Sequence, residues 1–237
     1  MGTLLLRLVG PMQSWGTQSR FRIRDAGTEP SKSGVIGLLC AALGRSRDQN
    51  VDDLAALRMG VRVDREGTLR LDYHTAGGSH RKGETYGVYR ASGGAGDPVV
   101  SERYYLADAE FLVGLEGDDS LLTLLHAAVR QPKWQIFLGR KSFVPGLPVC
   151  LRNPLCLDRD LGSALKGEPW PLEGTPLPDT RRWPRRLRVI LEASGGEEVE
   201  ARQDQPVGAA FRDRRFVARG VKIEWWELGK DVPIRKE

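Results

Sequence analysis

The sequence predicts an α+β fold, in which an antiparallel sheet of the ferredoxin-like or RRM-like kind packs against two helices and carries a protruding arm. Two observations predict the sheet and helices. A strand pattern followed by a helix pattern occurs twice between Thr3 and Val129, and the last third of the chain returns to strand patterns. The arm is predicted by a long, polar, glycine-rich stretch from His74 to Pro98. A chain of 237 residues, 40% of them hydrophobic, predicts a single domain over 1–237 with insertions.

The first strand–helix unit opens the chain. The run from Thr3 to Val9 is hydrophobic and ends at Gly10-Pro11, which predicts a buried strand. A helix is predicted to begin within residues 30–34 (PSKSG), because a serine there can cap it and the following side chains are almost all apolar. Between the two, arginines alternate with hydrophobic residues, and this period of two indicates an extended segment with one basic face. These arginines are Arg20, Arg22 and Arg24.

The middle of the chain predicts a short helix, a strand pair and the arm. Asp52 is predicted to cap a helix over 53–58, and strands are predicted over 61–63 and 69–73 around a Glu66-Gly67 turn. The stretch from His74 to Pro98 mixes basic residues with tyrosines and is too long for an ordinary connection. A functional protruding arm is therefore favoured over disorder. Its basic residues include Arg81 and Lys82.

The second strand–helix unit follows the arm. Residues 109–115 predict a strand, and Asp119 or Ser120 is predicted to cap a leucine-rich helix after it. A loop over 132–148 and an irregular Pro- and Gly-rich segment over 153–184 come next. The remaining strands are predicted over 187–193, 208–218 and 221–228.

Composition excludes several classes of protein. The longest apolar run spans eleven positions, far from the roughly 20 of a membrane helix, and no secretory leader pattern is present, so we expect a cytoplasmic protein without a membrane partner. Three cysteines and three histidines lack the spacing of metal sites, and no complete phosphate-binding loop or nucleophile elbow occurs. We therefore expect no metal and no cofactor. The net charge of +5 fits a polyanionic partner, although arginine-rich codon usage explains it equally well.

Basic residues beside aromatic ones give the strongest local signal. Between Lys133 and Lys141, rings that can stack on bases alternate with cations that can contact phosphates, and the same combination occurs at residues 20–24 and 81–89. The helix start at Lys32 and Ser33 is either a phosphate cradle or a plain N-cap. No predicted helix carries a basic recognition face, so RNA is favoured over duplex DNA. The candidate RNA-binding residues are Arg20, Arg22, Arg24, Lys32, Ser33, His74, Arg81, Lys82, Trp134, Arg140 and Lys141.

Four motifs in order resemble the CasD family, the small repeat-associated (RAMP) subunit of type I-E CRISPR Cascade complexes. They are GPMQSWG at 10–16, PSKSGVIGLL at 30–39, DYHT at 72–75 and LGRKS at 138–142. The resemblance covers roughly residues 3–149 and the final strand pair. It departs from the family at Trp134 and Phe137, where tyrosines are common, and at Phe143-Val144-Pro145, where the family often has Cys-Pro. A stacking contact survives these changes, whereas a tyrosyl hydroxyl contact does not.

The resemblance implies an RRM-like core with a β-hairpin thumb over residues 74–103. It further implies a cytoplasmic ribonucleoprotein subunit in antiviral defence that holds the 5′ handle of CRISPR RNA, caps the CasC backbone and helps to seat the large subunit CasA. Target DNA would be met only through the assembled complex. By similarity, Lys32, Ser33, Trp134, Arg140 and Lys141 would face the handle.

Two alternatives to a non-catalytic RNA-binding subunit remain. In the first, the protein is a metal-independent endoribonuclease that processes precursor CRISPR RNA, with His74 or a tyrosine activating a 2′-hydroxyl and Lys141 stabilising the oxyanion. A separate subunit, CasE, performs that cut in type I-E systems, which favours the non-catalytic reading. In the second, the protein is structural and makes no contact with nucleic acid.

Overall fold

The computed structural model describes residues 1–16, 22–77, 98–176, 179, 181, 183–193 and 199–235. The strands are β1 (Gly2–Val9), β2 (Met12–Gln13), β3 (Ile23–Arg24), β4 (Arg58–Arg65), β5 (Thr68–Ala76), β6 (Val99–Ala107), β7 (Glu110–Gly117), β8 (Cys150–Cys156), β9 (Arg186–Glu192), β10 (Glu200–Pro206) and β11 (Phe216–Glu227). The helices are α1 (Lys32–Leu43), α2 (Asp52–Ala55), α3 (Asp119–Arg130), α4 (Leu161–Gly167) and α5 (Ala210–Asp213). None of the helices in these ranges is long and apolar enough to cross a membrane.

Seven strands form one antiparallel sheet in the order β10-β11-β9-β4-β7-β1-β8. Because β7 pairs antiparallel with both β1 and β4, those two strands run in the same direction with β7 between them. β8 also pairs antiparallel with β1 and therefore runs parallel to β7. Since α1 lies between β1 and β4 in the chain, and α3 between β7 and β8, the two strand–helix–strand units interleave as split βαβ units. The predicted α+β class with an antiparallel sheet is confirmed.

The sheet is covered on both faces, and β1 shows why its sequence is apolar throughout. Leu4, Leu6 and Leu8 point to the face covered by α1 and α3, whereas Leu5 points to the face covered by α4. All four side chains are at most 1% exposed. Burying each one contributes about 1.5–3 kcal/mol. The sheet is thus a buried central layer, and a site must lie at its ends or edges.

Helix starts follow the prediction at α1 but not at α2 or α3. Asp52, predicted to cap a helix over 53–58, is instead the first residue of α2, which ends at Ala55 and has no side-chain cap. Ser31 caps α1 by accepting a hydrogen bond from the Gly34 N–H, as predicted, and α1 ends at Gly44 in the left-handed conformation (φ 72°). Asp118 caps α3 by accepting from the N–H groups of Ser120 and Leu121. The predicted caps Asp119 and Ser120 are therefore one and two positions too late. Asp118, Asp119 and Ser120 are all residue types that cap helices, so residue type alone cannot choose between them.

A second, smaller sheet is built on β6. β5 pairs with β6 along nine residues, and β2 and β3 pair with its other edge. β5 and β6 therefore form an exposed hairpin in the place of the predicted thumb, while residues 78–97 of that thumb lie outside the described residues. The predicted turn at Gly67 exists (φ 72°), but it separates β4 and β5 into different sheets. A side chain at Gly67 would approach the Ala107 carbonyl to 2.7 Å, so only glycine allows this sharp separation.

The C-terminal third departs from prediction in three places. The strand predicted over 208–218 is wrong, because α5 occupies Ala210–Asp213 and β11 begins only at Phe216. β11 then continues through Gly220, where a Cβ would lie 3.0 Å from Val199, so this glycine marks a close approach between strands rather than a turn. β10 was not predicted at all. The segment 153–184 is not wholly irregular, since it contains the end of β8 and all of α4.

Candidate nucleic-acid interface

Three arginines line one pocket at the base of the hairpin. β3 and β6 pair in parallel, and their register places Arg24 directly beside Arg103. Arg140, from the loop after α3, completes a pocket of about 360 Å³. The other lining residues are Ser14, Gly16, Asp25 and Gly139. Sequence analysis predicted Arg24 and Arg140 as binding residues but missed Arg103. The signal for it was present, because Ser101, Arg103 and Tyr105 alternate along β6 and share one sheet face.

Arg140 is fixed by two contacts, and its Nη1 group donates no hydrogen bond to any described residue. Its Nη2 donates to the Tyr104 carbonyl at 2.8 Å, and its guanidinium lies 5.4 Å from the centre of the Phe143 ring. Its Nη1 is shielded from solvent and has no hydrogen-bond partner among the described residues. Burial, followed by repulsion from Arg103, lowers the pKa of Arg140, although a guanidinium stays charged at neutral pH. A buried donor without a partner costs stability, so an acceptor that reached this Nη1 would be bound favourably.

The motif at residues 10–16 shapes this pocket. The Gln13 side chain donates to the carbonyls of Leu8 and Ala109, and so ties the motif to the end of the large sheet. Ser14 donates from its N–H to the Leu138 carbonyl. Gly139 then adopts φ 89°, and a Cβ there would lie 1.7 Å from the Ser14 oxygen. The loop that carries Arg140 is therefore clamped against Ser14.

Trp15 connects the pocket to the start of α1. Its indole Nε1 donates to Gln13 Oε1 at 3.2 Å, and the side chain is 1% exposed. A Cβ at Gly34 would lie 2.8 Å from the Trp15 ring, so glycine is needed there for the ring to pack. Three of the four sequence motifs therefore meet at one place although more than 120 residues separate the first from the last.

Lys32 does not lie on a binding surface, and this corrects the prediction. The side chain is 1% exposed, and its Nζ lies 2.9 Å from both carboxylate oxygens of Glu192. The Lys32 N–H donates to Asp204 Oδ2 at 2.7 Å, which places a carboxylate of the protein where the phosphate was expected. Burial lowers the pKa of Lys32, and Glu192 opposes this change. The phosphate cradle is wrong, and the plain N-cap is correct; Ser33 lies half-buried on the same first turn.

The remaining predicted residues fall in different places. Trp134 is 50% exposed, and its N–H bonds to the Ala41 carbonyl near the C-terminal end of α1. A helix of twelve residues is about 18 Å long, so Trp134 lies far from the pocket, which adjoins the other end of α1. Lys141 is exposed next to Arg140, and Arg22 is exposed next to β3. Arg20, Arg81 and Lys82 lie outside the described residues.

His74 lies on the same face of the small sheet as Arg103. Its Nδ1 is 3.3 Å from Asp72 Oδ2, and Asp72 is the register partner of Arg103. Ser101, the register partner of His74, accepts a hydrogen bond from Arg103 Nε at 2.9 Å. This face of the small sheet therefore carries Arg103 at the pocket and the His74–Asp72 pair next to it. Within the described ranges, no three His, Cys, Asp or Glu side chains come together as metal ligands.

The arrangement suits a phosphodiester. Guanidinium groups offer pairs of N–H donors that match the oxygens of a phosphate, and three of them converge around one pocket. The half-exposed His74 extends the polar surface beyond the pocket. The chemistry of the site thus fits the phosphate groups of a nucleic-acid backbone.

The chain is similar to known proteins in sequence and in structure. Residues 3–222 match the family described as CRISPR-associated protein (Cas_Cas5). The chain is 34% identical over 154 residues to the CRISPR system Cascade subunit CasD of Escherichia coli (strain K12), a match that covers 59% of this chain and 65% of that protein. A solved structure described as a Cas protein is 45% identical, covers 98% of both chains and has a TM-score of 0.76.

A chain in a structure of a CRISPR RNA-guided surveillance complex is 32% identical, with a TM-score of 0.74, over 96% of this chain and 90% of that one. The family match covers both split βαβ units, the hairpin and most of the C-terminal strands. The resemblance that the sequence motifs carry is therefore confirmed, and this chain belongs to the CRISPR-associated protein (Cas_Cas5) family.

Proposed function

We propose that the protein is the CasD subunit of a Cascade surveillance complex and holds the 5′ handle of CRISPR RNA without cutting it. The observation that carries this proposal is the pocket of Arg24, Arg103 and Arg140, whose shielded Nη1 lacks an acceptor. The similarity to a Cascade subunit and to a chain of an RNA-guided complex supports it. In this proposal the protein acts in the cytoplasm and meets target DNA only through the assembled complex.

The proposal assigns two protein partners. The exposed β5–β6 hairpin wedges against the guide beside the CasC backbone, and the subunit caps that backbone and helps to seat CasA. One face of β5 supports a protein contact, because Leu69, Leu71 and Tyr73 follow one another at a spacing of two and are each about half-exposed or more. Exposed apolar side chains in a row are typical of contact surfaces.

RNA binding in the pocket predicts a specific response to salt. Each phosphate contact on a single strand releases counterions and adds about 0.7 to the slope of log affinity against log salt. Arg140→Ala removes one such contact, and it leaves Phe143 and Tyr104 without their cationic partner. We expect it to weaken binding of the 5′ handle at least tenfold. The slope of log affinity against log salt should become shallower by about 0.7, the value of one phosphate contact.

The test uses the full chain with labelled repeat RNA in EDTA, followed by a mobility shift and a denaturing gel from the same reaction. Arg181→Ala is the matched control, because Arg181 is 89% exposed and lies outside the pocket. Retention of intact RNA that depends on Arg140 and on the handle sequence supports the proposal. Equal binding by Arg140→Ala, Arg181→Ala and the unchanged chain would refute it.

A second candidate function is metal-independent endoribonuclease activity. The specific observation is the His74–Asp72 pair, because a carboxylate on Nδ1 can orient a histidine to act as a general base beside bound RNA. The same denaturing gel decides between the two. A discrete cut within the repeat that His74→Ala abolishes would establish the nuclease, and binding without any cut would exclude it.

A further inference from the structure

A second, larger cleft lies at the β8 edge of the seven-stranded sheet. It encloses about 860 Å³ between the last turns of α3, residues 145–149, the start of β8 and the turn at Glu173 and Gly174. It shares no lining residue with the arginine pocket. Its apolar walls come from Val129, Ile136, Leu147, Val149 and Leu151. Its size falls in the range of clefts that enclose most of a bound ligand.

Three arginines line this cleft without forming an ion pair to any described carboxylate: Arg7, Arg130 and Arg152. Arg7 is only 6% exposed, yet its N–H groups donate to the backbone carbonyls of Pro148 and Glu173 rather than to a carboxylate. Burial lowers the pKa of Arg7, while the charges of Glu173 and Glu168 oppose this change from a distance. Arg7 thus forms no ion pair with a described carboxylate, although Glu173 and Glu168 act on its charge.

Elsewhere in the described residues, many arginines are directly paired with carboxylates. Examples are Arg45 with Asp53, Arg62 with Asp64, Arg188 with Glu29 and Glu66, and Arg219 with Asp204. The cleft is different, since Glu173 is the one carboxylate among its lining residues and it is exposed. Three guanidiniums against one carboxylate favour an anionic ligand.

The side chains that line the cleft indicate whether its ligand is a nucleic acid or an acidic peptide. Sites for single-stranded nucleic acid stack bases mainly on Phe, Tyr and Trp, and the residues lining this cleft include none of these, His126 being their one aromatic ring. Apolar side chains beside cations fit instead a peptide that carries both acidic and apolar residues. Charge and wall chemistry together therefore favour a protein segment.

We propose that this cleft binds an extended acidic segment of a partner protein, with its carboxylates on Arg130 and Arg152 and its apolar side chains against Val129 and Leu151. β8 is an edge strand, but Pro154 and a shift in its register with β1 interrupt the edge. Both features prevent regular strand addition. Recognition therefore uses side chains, and it is independent of RNA binding in the arginine pocket.

Site-specific photo-crosslinking in cells that carry the chain with its native neighbours tests this. Leu147 in the cleft is replaced by p-benzoylphenylalanine, and the crosslinked peptide is identified by mass spectrometry. Leu157, which is 44% exposed and outside the cleft, is the control position. We expect Leu147, but not Leu157, to capture one protein segment rich in Asp and Glu. Crosslinks to RNA, to a segment without acidic residues, or to nothing would overturn the proposal.

Charge reversal gives the second arm of the test. Arg130→Glu with Arg152→Glu should lower the Leu147 crosslink at least tenfold, and both side chains are exposed, so the fold should persist. Arg181→Glu with Lys230→Glu is the control, because it changes the net charge equally at exposed positions outside the cleft. An undiminished crosslink in the first variant would refute the proposal. Arg140→Ala should leave the crosslink unchanged, which separates this proposal from the RNA-binding one.

Discussion

Replacing Gly139 by alanine should both destabilise the protein and disable the arginine pocket. The new methyl group would lie 1.7 Å from the Ser14 oxygen, whereas real Cβ atoms stay at least 3.0 Å from such an atom. The loop must therefore move by about 1.3 Å or more, the difference between those two distances. Ser14 cannot yield easily, because its N–H is bonded to Leu138 and its hydroxyl to the Tyr104 carbonyl.

The cost of Gly139→Ala can be estimated from what the movement breaks. A left-handed conformation costs a non-glycine residue about 1–2 kcal/mol. Losing the Ser14–Leu138 bond and the charged Arg140–Tyr104 bond adds about 1 kcal/mol or more each. We expect the free energy of unfolding to fall by about 3–5 kcal/mol in urea titrations, and handle affinity to fall at least tenfold in the folded protein.

Gly146→Ala is the matched control for Gly139→Ala. Gly146 is exposed on the same loop, and a Cβ there would meet nothing closer than 3.5 Å. We expect this variant to unfold and to bind RNA like the unchanged chain. If Gly139→Ala also behaves like the unchanged chain in both assays, the clamp between Gly139 and Ser14 does not hold Arg140, and the account of the pocket fails.

Two further predictions concern buried charge. Lys32→Met removes the main cationic partner of Glu192 and should lower the free energy of unfolding by about 3–5 kcal/mol. Folded protein should keep its handle affinity, because the Lys32 backbone N–H still donates to Asp204 and holds the first turn of α1 in place; lost affinity with unchanged stability would contradict this. For Glu29, burial alone would raise the pKa, but hydrogen bonds from Thr28 and Arg188 lower it overall. Its stabilising effect is therefore complete above its unfolded pKa and disappears as pH falls through its folded pKa. Glu29→Gln should lose stability at pH 7 and converge with the unchanged chain at acid pH, and a constant difference across pH would refute this.

The hydrophobic pattern and the capping residues predicted individual strands and helices better than they predicted which strands pair with one another. β1, α1, β7 and α3 follow from local apolar runs and cap residues, because a buried strand or helix needs those residues wherever it packs. The pairing of strands depends on the whole chain. β4 and β5 adjoin in sequence and resemble a hairpin, yet they separate into two sheets because β4 pairs with β7 and β9.

The candidate site shows the same limit. Arg24 and Arg140 were predictable because they lie near aromatic residues in the sequence. Arg103 lies beside Arg24 because β3 pairs with β6 in a register that only the folded structure shows. Lys32 was not predictable, since its partners Glu192 and Asp204 lie 160 and 172 residues away. A lysine at a helix start is equally consistent with a phosphate site and with a buried ion pair until its surroundings are known.

The position of Lys32 gives the C-terminal strands a role in the site. Glu192 at the end of β9 and Asp204 in β10 hold the first turn of α1, and Arg219 in β11 donates to Asp204 at 2.7 Å. On the other side of that first turn, the Trp15 ring packs against Gly34. Because Trp15 and Ser14 are adjacent, a shift of α1 would be passed to the Ser14–Gly139 clamp and so to Arg140. The strands added beyond the two split βαβ units therefore fix the geometry of a pocket to which they contribute no lining residue.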